Sequence, residues 1–106
     1  METVVDRSKN GQVIQVALGD TLRVELAENQ TTGYKWEVDH LDSDFLDLLS
    51  SNYLLSQSTA PGAGGLRVIV FETKKTGSAR LELKQRRPWQ ALSCSIASVD
   101  YTIHIS

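Results

Sequence analysis

Apolar residues recur at every second position along most of the chain. Thr21 to Ala27 shows this most cleanly, with Leu22, Val24 and Leu26 on one face and Arg23 and Glu25 on the other. Before it, Val4-Val5 is a short apolar start, and a polar stretch from Asp6 ends in Asn10-Gly11, a strong tight-turn signal. Val13 to Leu18 predicts a strand, and Gly19-Asp20 turns the chain. Further on, Tyr34, Trp36 and Val38 share one face, while Lys35 and Glu37 take the other. Leu66 to Lys75 predicts a long strand with Val68, Val70 and Glu72 on one side and Arg67, Ile69 and Phe71 on the other. The pattern alone leaves its core face open, although Ile69 and Phe71 are the bulkier pair. After a turn at Thr76-Gly77, Ala79, Leu81 and Leu83 alternate with Arg80, Glu82 and Lys84. Gln85 to Ala97 is a long irregular connection containing Pro88, and Val99, Tyr101, Ile103 and Ile105 form the last alternating strand.

Asp39 to Ser51 breaks the alternation. Phe45, Leu46, Leu48 and Leu49 fall at helical spacing behind Asp42 or Ser43, either of which suits an N-cap, so this segment predicts one or two helical turns. Tyr53-Leu54-Leu55 then predicts a short strand, and Ser56 to Gly65 a loop rich in Ser, Gly, Ala and Pro. The sum is an all-β chain: an immunoglobulin-like antiparallel β-sandwich of seven to eight strands in a single domain over residues 1–106. An inward Trp36 on the third main strand suits that architecture.

Composition narrows the function. With 106 residues there is room for one core. The formal net charge of −2 argues against a nucleic-acid partner, which would require a basic face. No apolar run approaches the roughly 20 residues needed to span a bilayer as a helix, so no membrane partner is expected. Met1 to Lys9 contains no apolar stretch behind a basic start, which predicts no signal peptide. Cytoplasmic residence is the default expectation, with secreted or lysosomal residence the alternatives. The one cysteine, Cys94, rules out an internal disulfide.

Catalysis needs a nucleophile, a base and an orienting group that converge. Cys94, His40 and His104 are the raw material, and nothing in their spacing brings them together. Metal ligation fares no better: there is no Cys-x-x-Cys or His-x-x-x-His, and Asp42, Asp44 and Asp47 lack the rest of a calcium loop. Gly62-Ala63-Gly64-Gly65 is followed by neither Lys-Ser nor Lys-Thr, so it reads as loop backbone rather than a phosphate cradle. The expectation is a non-enzyme with neither cofactor nor metal.

Three connections stand out instead. Asn29-Gln30-Thr31-Thr32-Gly33 is a polar projection between two apolar runs, anchored by Tyr34 and Trp36; taken alone, an ordinary strand connection is its simplest reading. Gly62 to Gly65 is the second. The third, Arg87-Pro88-Trp89, sets a Trp beside Pro and Arg, side chains that dominate interfaces, unless Trp89 folds back onto the end of the sandwich. In an immunoglobulin-like sandwich these stretches join the second and third, fourth and fifth, and sixth and seventh core strands, and emerge at one end.

Their order and content resemble the chagasin-like inhibitors of papain-family cysteine peptidases. That family carries Asn-Pro-Thr-Thr-Gly-aromatic, then Gly-x-Gly-Gly, then Arg-Pro-Trp or Arg-Pro-Phe. Here the three read Asn29-Gln30-Thr31-Thr32-Gly33-Tyr34, Gly62-Ala63-Gly64-Gly65 and Arg87-Pro88-Trp89, and the resemblance covers essentially the whole chain. It implies a monomeric, tight-binding inhibitor whose three loops occlude a papain-like peptidase cleft, with Tyr34 and Trp36 supporting the base of the first. Gln30 stands where the family has proline, which loosens that loop. The same change creates Asn29-Gln30-Thr31, a formal N-glycosylation acceptor expected to stay unused, since a glycan there would obstruct docking. The alternative, from another class, is a non-inhibitory adhesion or carbohydrate-binding module that stacks ligands on Trp89 and Tyr53.

Overall fold

Strands with one apolar face must share an interior, and here two sheets do so face to face. The computed structural model describes residues 2–28, 33–55, 65–87, 89 and 96–106. Among them, eight strands run in order: β1 (Glu2–Val5), β2 (Val13–Val16), β3 (Thr21–Glu28), β4 (Lys35–Leu41), β5 (Leu46–Leu55), β6 (Gly65–Thr73), β7 (Gly77–Arg86) and β8 (Ala97–Ile105). One sheet has the order β1-β3-β6-β5 and the other β2-β8-β7-β4. The all-β sandwich expected from the alternation is therefore what forms.

The core is built from the residues at inward phase. Leu22, Val24 and Leu26 of β3 meet Trp36 of β4, Leu81 and Leu83 of β7, and Tyr101 and Ile103 of β8. On β6 the side left open by the pattern resolves to Ile69 and Phe71, both buried, while Glu72 faces out. Burial raises the Tyr101 phenol to about 12, with the nearby Asp6 charge adding to the effect. Its hydroxyl donates to the Asp6 carbonyl at 2.8 Å.

Two expectations need correction. The sandwich is not wholly antiparallel: β1 pairs with β3, and β2 with β8, in parallel. The cause is the link between them. A 3-10 turn at Arg7–Lys9 and the left-handed Gly11 (φ 78°) carry the chain from one sheet to the other, so β2 never folds back on β1. Asp100 N–H donates to Asn10 Oδ1, and Gly11 N–H donates to the Asp100 carbonyl, each at 2.7 Å, which seats the crossing on β8.

The second correction concerns the helical turns expected within Asp39 to Ser51. A single turn's worth forms: Phe45 and Leu46 N–H both donate to the Asp42 carbonyl, at 3.0 and 3.1 Å. From Leu46 onward the chain is strand β5, ten residues that include Tyr53-Leu54-Leu55. Its ladder to β6 shifts between Leu48 and Ser50, so Leu49 is an extra residue. That bulge interrupts the period of two and imitates helical spacing. The β4–β7 ladder shifts in the same way between Val38 and His40, at Asp39.

Candidate functional site

The β3–β4, β5–β6 and β7–β8 connections leave from one end. In the first sheet Glu28 and Leu55 both register against Gly65. In the second, Lys35 registers against Arg86, and Gln85 against Ala97. Of the predicted site residues, Asn29, Gln30, Thr31, Thr32, Gly62, Ala63, Gly64 and Pro88 lie outside the described residues, as does Cys94. Gly33, Tyr34, Trp36, Gly65, Arg87 and Trp89 are described, and they account for how the end is assembled.

Trp36 anchors the return of the first connection, as its inward phase predicted. Its ring is buried in the core, its indole Nε1 donates to the Ala27 carbonyl at 2.9 Å, and its backbone N–H donates to Glu28 Oε1 at 2.7 Å. Gly33 takes a left-handed conformation (φ 79°), and the place a Cβ would occupy lies 3.2 Å from Trp89 Cη2. The Arg87 guanidinium sits 4.6 Å from the centre of the Tyr34 ring, a cation–π distance. Gly33 and Tyr34 are thus brought together with Arg87 and Trp89 by the fold.

Trp89 does not fold back into the sandwich. It touches Gly33 yet is 74% exposed. Its indole is therefore presented outward at the end where the three connections leave.

Gly65 has a role inside the fold. A Cβ there would overlap the Leu54 carbonyl oxygen and come within 2.8 Å of the Tyr53 ring and hydroxyl. The Tyr53 ring also lies under Arg67, with the guanidinium carbon 5.8 Å from its centre.

A buried ion pair, not expected from the sequence, lies beneath this end. Glu28 is 3% exposed and Arg67 6%. Arg67 Nη2 donates to Glu28 Oε2 at 2.7 Å, and its Nε lies 3.3 and 3.2 Å from the two carboxylate oxygens. The signal was present in the pattern: Glu28 continues the inward phase of Leu22, Val24 and Leu26, and Arg67 that of Ile69 and Phe71. Opposite charges at inward positions on paired strands predict a buried partner.

The family model described as the Chagasin family peptidase inhibitor I42 matches residues 15–105. The chain belongs to this family. Among relatives, Amoebiasin-1 of Entamoeba histolytica is 32% identical over 83 residues, spanning 76% of this chain and 78% of that protein. Chagasin of Trypanosoma cruzi is 27% identical over 93 residues, 84% of each. The fold matches the crystal structure of EhICP2, a cysteine protease inhibitor from Entamoeba histolytica, with a TM-score of 0.90 at 20% identity, covering 99% of this chain and 96% of that one. This chagasin-family chain is accordingly a peptidase inhibitor and not an enzyme.

Proposed function

We propose that the chain is a reversible, tight-binding inhibitor of papain-like cysteine peptidases that fills the active-site cleft with the three connections at one end of the sandwich. The observation that carries this is the 74% exposed Trp89 resting on left-handed Gly33 beside the Arg87–Tyr34 stack. Two of the three family motifs meet there, and Gly65, the last residue of the remaining motif, lies at the same end.

The mechanism is occlusion without chemistry. Residues 29–33 enter the cleft and bring Thr31 and Thr32 to the catalytic Cys-His pair, offering no well-placed scissile carbonyl for the thiolate. Residues 62–65 lie along the non-primed side, where missing side chains let backbone pair with backbone. Arg87 and Trp89 grip the primed side, Trp89 against aromatic surface and Arg87 on a carboxylate or carbonyl. Such a contact buries on the order of 1,600 Å² in total. The carbohydrate-binding alternative requires Tyr53 as open stacking surface, whereas its ring is engaged by Gly65 and Arg67.

The test is residual papain activity against increasing purified protein, followed by electrophoresis. Stoichiometric, reversible loss of activity with the inhibitor uncut is expected; full activity at large excess, for papain and a cathepsin-like enzyme alike, would refute the proposal. Two variants refine it. Thr32→Ala is expected to weaken inhibition with the melting temperature unchanged, and a drop in melting temperature would make Thr32 structural instead. Gln30→Pro is expected to slow dissociation by restricting the free loop. Faster dissociation from an intact fold would defeat the stiffness argument.

A further inference from the structure

We propose that the buried Glu28–Arg67 pair fastens the bases of the first two connections to one another, and that this fastening governs how readily the chain captures its peptidase. The second half rests on the inhibitor reading above; the first half does not.

Glu28 is the last residue of β3, where the chain departs into residues 29–32, and Trp36 stands where it returns. Tyr53 lies on the outgoing side of residues 56–64, and Arg67 just beyond their return at Gly65. One carboxylate joins these points. Its Oε1 accepts from Trp36 N–H at 2.7 Å and its Oε2 from Arg67 Nη2 at 2.7 Å, while Arg67 in turn covers the Tyr53 ring. The bases of both connections therefore close on a single group that is 3% exposed.

Stability alone is a poor reason for such a group. Desolvating two charges offsets most of their attraction, and apolar replacements of buried pairs are often no less stable. A forked, bidentate pair does fix relative geometry. That matters most where a connection's own residues do not stiffen it, and Gln30 stands where the family has proline. If unfastened connections hold the docking arrangement about one tenth of the time, apparent affinity falls about tenfold with no contact to the peptidase altered.

The discriminating variant is the double replacement Glu28→Gln with Arg67→Met. Glutamine retains an acceptor for Trp36 N–H, and methionine fills the space of the arginine stem. Three quantities are read: melting temperature, amide hydrogen exchange across residues 29–34 and 56–65, and the association rate with papain. Melting close to the parent chain is expected, with exchange in both segments about tenfold faster and association about tenfold slower. Parent-like exchange in either segment would overturn the fastening, and parent-like association with faster exchange would overturn its part in capture. Should the double variant fold poorly, Arg67→Lys keeps the charge and removes the fork, and faster exchange in both segments is again expected. If the parent chain leaves papain active, the inhibitor reading fails, and the exchange measurement still decides the fastening.

Discussion

Gly65→Ala is expected to cost about 3 kcal/mol of folding stability, because the added methyl group meets backbone it cannot displace cheaply. The position a Cβ would take overlaps the Leu54 carbonyl oxygen, and the Tyr53 ring closes the other side at 2.8 Å. Leu54 is held in register against Leu66, so relief requires parting β5 from β6 at the end where the second connection begins. Gly19→Ala is the control. Nothing lies within 4 Å of its added Cβ, and only its left-handed backbone (φ 95°) resists, so the cost is about 1–2 kcal/mol. Urea unfolding of both variants reads the difference. A Gly65→Ala cost no larger than the control would mean that the end of β5 yields easily and that packing does not require this glycine.

Trp89→Ala carries the largest expected loss of binding. A central aromatic anchor contributes about 2 kcal/mol or more, roughly a thirtyfold rise in the papain inhibition constant. Being 74% exposed, Trp89 adds little to the folded core, so its removal should leave the melting temperature in place. That separation is the useful part of the experiment. An inhibition constant equal to the parent's removes the anchor role, and a clear loss of melting temperature would mean that the Gly33 contact, rather than a partner, explains why a tryptophan stands there.

The strands β3, β7 and β8 were legible because each buries one face and exposes the other, so Leu22-Val24-Leu26, Leu81-Leu83 and Tyr101-Ile103 keep strict phase. β5 was misread because Leu49, the bulged residue, shifts that phase by one and leaves Leu48 and Leu49 both exposed. The sheet joined by β1 or β2 was not legible at all. Each is four residues long, and its partner is set by where the Arg7–Lys9 turn delivers the chain. At the functional end, motif order made the three connections readable as a set. Beneath them, the inward phase of Glu28 and Arg67 signalled a buried pair, but that the same carboxylate also holds Trp36 N–H needed the structure. The stacking of Arg87 on Tyr34 is of the same kind: each residue was visible, and their proximity was not.

The bulges at Asp39 and Leu49 also alter what the two long sheet borders offer to another strand. β4 and β5 are the long outer strands of their sheets, and Trp36, Val38, Leu48 and Ile69 line a groove between them. Two straight borders would each offer a free ladder edge to an added strand. Each border instead carries one residue too many, which leaves the ladder out of step for any incoming chain, and the two opposite borders, β1 and β2, are only four residues long. The irregularity that concealed β5 in the sequence thus also makes that border a poorer template for an added strand.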